Sequence, residues 1–238
     1  MKKRVRFTCL LFFVLVLAFS LPCSAKSHSR AALFPVFRYE GIITRDTCGL
    51  VTGERVRMVE SESDKSHLVE RKNGRRVRVD WDAVSPVIKE RPALPSVTEE
   101  DVVAFVYEMG YGSKTDFMLF TDLSRFCTYV LEYGDEGWHL LRTLPCSVGD
   151  ALHPTPSGRF EVAYKCACIG KTDQYLCRHA MCFYGGYMYH SVLLDWKGET
   201  VLDGRLSSAI SHGCIRHSPE DSATLYALIP TGSAVYIR

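Results

Sequence analysis

Hydrophobic and polar positions divide the 238-residue chain into an apolar head, two β-patterned stretches and a helical bridge between them. Lys2, Lys3, Arg4 and Arg6 precede an apolar run from Phe7 to Leu21, and Cys23-Ser24-Ala25 sets small residues at the minus-three and minus-one positions of a cleavage site. This pattern predicts a secretory signal peptide over residues 1–25 and an exported protein. The run of 15 residues falls short of the roughly 20 that a membrane-spanning helix needs. Residues 38–88 read as short strands of a small β-barrel. Within them Glu54 to Glu60 partly alternates, and Leu68 to Arg71 is joined to Arg75 through Val79 by Asn73-Gly74, a two-residue turn of positive φ. Pro86, Pro92 and Pro95 then interrupt regular structure and mark a domain boundary. Residues 89–114 form this linker and one helix. Thr98-Glu99-Glu100-Asp101 caps the helix, Val102 to Met109 carry its apolar stripe, and Gly110 stops it. From residue 115 to 238 strands return, with a turn over Tyr133 to Trp138 and a last helix started by Ser218-Pro219. The expected fold class is mainly β with short helices.

The chemistry is concentrated in Ser211-His212-Gly213-Cys214-Ile215-Arg216, with His190 standing 24 residues before Cys214. A thiol is a strong nucleophile only as thiolate, so a catalytic cysteine needs a nearby base and a group that stabilises its charge. Either histidine can serve. Gly213 leaves space beside Cys214, so the Gly213 and Cys214 amides are candidate oxyanion donors. Arg216 shares a side of an extended segment with Cys214 and either holds a substrate carboxylate or braces the loop. Tyr187 and Tyr189 are candidates for lining the cleft, and His212 either tunes the thiolate or bonds within its loop.

These motifs resemble the L,D-transpeptidase (YkuD-type) family. Tyr189-His190-Ser191 followed by the hexapeptide looks like its active-site signature, and Phe120 to Ser124 with Tyr129 to Leu131 looks like its first hairpin. His153-Pro154-Thr155-Pro156-Ser157-Gly158-Arg159-Phe160 resembles its T-P-x-G-x-F turn, and Gly185-Gly186 and Pro230-Thr231-Gly232 also fit. The resemblance implies a YkuD-type β-sandwich over residues 115–238, with His190 as base, Cys214 as nucleophile and the main-chain carbonyl of Ser191 orienting the imidazole. It implies peptidoglycan stem peptides as substrate: attack on the third-position carbonyl, loss of D-alanine, and transfer of the thioester to an amine to give a 3→3 cross-link. Transfer to water instead makes the enzyme a carboxypeptidase. The stretch 38–88 resembles bacterial SH3-like modules, through Gly53 and Asn73-Gly74, and suggests a wall-binding role.

Charge and cysteine content adjust this picture. The excess of 29 Lys and Arg over 27 Asp and Glu belongs to the signal segment, whose four basic and no acidic residues leave the remainder slightly negative, so no nucleic-acid partner is expected. The thiol mechanism needs no cofactor or metal, and a monomer is expected. Cys166, Cys168, Cys177 and Cys182 fall in one short segment and are expected to staple a lid by disulfides in an oxidising compartment, with zinc as the other reading. A metal-binding wall protein using Cys214 and His217 is the rival from a different class.

Overall fold

The computed structural model describes residues 29–62, 65–88, 91 and 93–238, so the expected signal peptide lies outside the described residues. An amino-terminal antiparallel sheet comes first: β1 (Glu40–Ile43), β2 (Arg55–Glu62), β3 (Ser66–Glu70), β4 (Arg76–Asp80) and β5 (Val84–Val87), in the order β4-β3-β2-β1-β5. Its β3–β4 connection corrects the expected two-residue turn. Arg71 N–H donates to Arg75 O across a three-residue loop, Lys72 to Gly74, and within that loop only Gly74 has positive φ (81°). A turn that ends on a left-handed glycine suits three residues, and Asn73 caps it by accepting from Arg75 N–H.

The helix α1 (Glu99–Glu108) begins where expected, because Thr98 Oγ1 accepts from Asp101 N–H and the Asp101 carboxylate accepts from Thr98 N–H, a capping box. It lies on a five-stranded sheet ordered β10-β18-β6-β7-β8, built from β6 (Phe117–Asp122), β7 (Cys127–Gly134), β8 (Gly137–Pro145), β10 (Gly158–Glu161) and β18 (Ala234–Ile237). Between β8 and β10 lies β9 (Val148–Gly149). Strand β6 reads Phe-Met-Leu-Phe without polar alternation because both faces are covered. Met118 and Phe120 join Val102, Phe105 and Val106 of α1, whereas Leu119 faces the second sheet. Each fully buried ring such as Phe105 or Phe120 contributes roughly 1.5–3 kcal/mol of burial.

The second sheet runs β15-β14-β12-β13-β17, with β11 beside β12. Its strands are β11 (Tyr164–Lys171), β12 (Tyr175–Tyr184), β13 (Tyr187–Ser191), β14 (Leu193–Leu194), β15 (Val201–Asp203) and β17 (Ile215–His217). A short β16 (Ala209–Ser211) pairs with β9, and α2 (Pro219–Leu228) follows β17. Met181, Phe183, Tyr189 and Ile215 turn inward against Leu119, Val130 and Val235, which closes a β-sandwich. The opposite face of this sheet carries Ala180, Cys182, Met188 and Cys214. All eight cysteines among the described residues are free thiols, which corrects the expected disulfide staples. The β11–β12 register explains it: Cys166 faces Ala180, Cys168 faces Arg178, Ile169 faces Cys177 and Tyr164 faces Cys182, so no cysteine stands opposite another.

Candidate active site

Two adjacent parallel strands bring the distant motifs together. On β13 and β17 His190 is registered against Arg216 and Tyr189 against Ile215, which sets Cys214, the residue before β17, beside Met188. Side chains alternate across a sheet, so His190, Arg216 and Cys214 share one face while Tyr189, Ile215 and His217 share the other. His190, Cys214 and Arg216 line a cavity of about 310 Å3 together with Ile169, Cys177 and His212. Cys214 also lines a larger cavity of about 740 Å3, whose walls include Tyr187 and His153 and, from the amino-terminal sheet, Glu60, Glu62 and Arg78. The candidate nucleophile therefore sits at the junction of two cavities.

His190 Nδ1 lies 2.6 Å from the main-chain oxygen of Ser191 and must carry the hydrogen there. Its Nε2 is then the acceptor in the neutral ring. Burial holds the His190 imidazole down at about 4 from an ordinary 6.5, and the charge of Arg216 pushes the same way. Burial also raises the Cys214 thiol, opposed by a main-chain hydrogen bond from Met188 and by Arg216. Both shifts favour an uncharged thiol and imidazole at rest. Arg216 is 8% exposed and forms a 3.5 Å ion pair with Asp203, which Arg205 also holds at 2.9 Å. It braces this region while lining the smaller cavity.

The loop before β17 is held from three sides. Gly213 has φ +101° and its absent Cβ would lie 2.3 Å from the Tyr187 ring, so both backbone and space require glycine. Thr155 Oγ1 donates to Gly213 O at 2.9 Å and accepts from Gly149 N–H at 2.8 Å, which locks the T-P turn onto the loop. Ser211 Oγ donates to Cys214 O at 2.5 Å and accepts from Gly213 N–H at 3.1 Å. The Gly213 amide expected as an oxyanion donor is thus committed to Ser211. Tyr187 has its hydroxyl between the Ser61 carbonyl (2.9 Å) and the Ser61 amide (3.2 Å) on β2.

Other expected residues fall as follows. Tyr189, expected at the cleft, is 1% exposed and bonds Thr121 Oγ1 at 2.8 Å in the core, because strand alternation points it away from His190. The Ser191 carbonyl orients His190, whereas its hydroxyl is spent on Arg178 N–H and Val192 O. His212 is exposed and lines both cavities. His217 lies on the core face, bonds Pro145 O at 3.0 Å and stacks on Tyr189, so it does not join Cys214 in a ligand set. Among the described residues no group of three or more His, Cys, Asp or Glu is placed to hold a metal ion. Sequence reasoning missed Glu60, Ser61, Glu62 and Arg78 at the cleft. Their only signal was the charge alternation along what became β2 and β4.

A search of curated proteins finds no match for the chain. Among solved structures, a fused Zn-dependent amidase/peptidase/peptidoglycan-binding domain-containing protein from Clostridium acetobutylicum is 30% identical over 53% of this chain and 53% of that one, with a TM-score of 0.45. An L,D-transpeptidase from Mycobacterium smegmatis is 18% identical over 74% of this chain and 68% of that one, TM-score 0.40. Another from Stackebrandtia nassauensis is 20% identical over 53% of this chain and 57% of that one, TM-score 0.42. The chain spans about half the length of the first of these. The family model of the L,D-transpeptidase catalytic domain, YkuD, matches residues 116–237, the stretch that holds the sandwich, His190 and the Cys214 loop. More than half of the sequence falls within that match, and the chain belongs to the YkuD L,D-transpeptidase family.

Proposed function

We propose that this protein is an exported L,D-transpeptidase that acts on peptidoglycan tetrapeptide stems through a cysteine acyl-enzyme. The carrying observation is the place of Cys214, on one sheet face with His190 and open to two cavities. As the Cys214 sulfur attacks the carbonyl carbon of the third stem residue, its proton passes to His190 Nε2. The resulting imidazolium returns that proton to the departing nitrogen, D-alanine leaves, and a thioester remains. The amine of a second stem then attacks from the other cavity, His190 takes its proton, and the thiol is released as the 3→3 bond forms. Because the resting thiol and imidazole are both held neutral, proton transfer accompanies attack rather than preceding it. Two cavities meeting at one sulfur suit two peptide substrates, and this favours transpeptidation over hydrolysis.

No described helix is long and apolar enough to cross a membrane. Export rests on the amino-terminal pattern of residues 1–25. The amino-terminal sheet adds a wall to the cleft, which supports a contribution to substrate contact besides the wall-binding role suggested by its likeness to SH3-like modules.

The test is intact-mass analysis after exposure to a carbapenem or a muropeptide donor. The wild type should gain one acyl adduct, and Cys214→Ala none. His190→Ala should slow acylation by about 100-fold or more, the range for loss of a positioned base, whereas His217→Ala should act mainly on stability. An unmodified wild type, or equal kinetic effects of the two histidines, defeats the assignment.

A further inference from the structure

Four rings run in contact from the core of the amino-terminal sheet to the loop of Cys214. His67 on β3 stacks on Trp81 with centroids 4.2 Å apart and planes 22° apart. Trp81 meets His153 at 5.1 Å, and His153 meets His212 at 4.1 Å. His212 stands two residues before Cys214 and lines both cavities with it. His153 is itself fixed from its own loop. Asp150 Oδ1 bonds its Nδ1 at 2.9 Å and accepts the amides of Leu152 and His153 at 2.9 and 2.7 Å, so one carboxylate oxygen sets both main chain and ring. His153 is 8% exposed and forms part of the wall of the larger cavity.

We propose that His153 is a positioning residue for the nucleophile loop, acting through His212, and that Trp81 is the clamp by which the amino-terminal sheet holds it. The inference rests on Cys214 being the nucleophile. His212 is an exposed side chain on a loop, and the rotamer it keeps depends on what packs against it. The His153 ring packs against it with planes 53° apart, and Trp81 packs against His153 in turn. His67 fits the same purpose. It is fully buried, neither ring nitrogen has a hydrogen-bond partner among the described residues, and burial holds it at about 4. Such a ring is costly to bury. Its closest ring contact is the face of Trp81, where an uncharged imidazole serves as a flat plate. The groups facing His153 include Asp150 on its own loop, His67 and Trp81 from the sheet, and His212 from the nucleophile loop. Glu60, Glu62, Arg78 and Cys214 share the cavity.

The experiment uses the full chain and two readouts: single-turnover carbapenem acylation followed by intact mass, and the pH profile of Cys214 alkylation by iodoacetamide. His153→Ala and Trp81→Ala should slow acylation about 10- to 100-fold, the cost of a misplaced reacting group, and should move the alkylation midpoint. Trp81→Phe, which keeps an aromatic face, should recover most of the rate. A merely structural role would lower the melting temperature and leave the midpoint in place, and that result overturns the proposal. If Trp81→Ala does not fold, His153→Phe against His153→Ala decides: the retained ring should restore acylation, and equal rates overturn the positioning role. Failure of the wild type to acylate refutes the nucleophile assignment instead, and the alkylation midpoint still reports on His153.

Discussion

At the scale of single residues, Arg216 adjusts a resting state of thiol and imidazole that burial sets first. Its charge lowers the pKa of both Cys214 and His190, while burial raises the first and lowers the second. Removing the charge therefore raises both. In Arg216→Gln the thiolate becomes rarer at any given pH, so the alkylation midpoint of Cys214 should move to higher pH. The variant should also lose the ion pair to Asp203 and acylate more slowly. A midpoint moved to lower pH would mean that the guanidinium does not face the sulfur. Tyr189 and His190 show how much one position matters in a strand. The tyrosine reads in sequence like a cleft residue, yet the period of two gives its ring to the core and the next residue to the cavity.

At the scale of elements, the T-P turn earns its place through Thr155, whose hydroxyl joins β9 to the Cys214 loop. Thr155→Val strands the Gly149 amide and the Gly213 carbonyl, each an unsatisfied buried group worth about 1–3 kcal/mol. Thermal melting should fall, and carbapenem acylation should slow by about tenfold or more as the loop loosens; unchanged acylation would show that Ser211 and Tyr187 suffice. Much of this level was legible beforehand. The helix starts at Thr98 and Ser218 follow from local capping, which needs no partner from elsewhere in the chain. The β7–β8 hairpin was readable from its local turn, whereas the choice of His190 over His212 as partner of Cys214 came from the family resemblance, because their meeting depends on the pairing of two distant strands. The cysteines of β11 and β12 were not legible, since spacing cannot reveal register, and a ladder offset by one or two residues separates thiols that look adjacent. Nor did Asn73-Gly74 announce a three-residue loop, because the same dipeptide serves both turn types.

For the molecule as a whole, burial of neutral histidines ties stability to pH. His67, His190 and His217 are each held at about 4 in the folded protein against an ordinary 6.5. Between those values the unfolded chain binds protons that the native one refuses, so stability falls as pH drops from 6.5 toward 4. At pH 5 each accounts for a loss on the order of 2 kcal/mol. Asp122 works against them, since burial lifts its carboxyl to about 6 and the native form takes up a proton first. Denaturant melts should show a net loss on the order of 4 kcal/mol between neutral pH and pH 5, and a flat profile would contradict the buried neutral rings. The joint between the amino-terminal sheet and the sandwich carries a different lesson. Tyr187 grips Ser61 only by its main chain, so any residue that a strand accepts can stand at 61 without loosening the grip, while Tyr187 itself cannot change. In related sequences with this joint, one side should drift freely and the other stay fixed. Paired substitutions would then leave no trace of a contact at the mouth of the cleft.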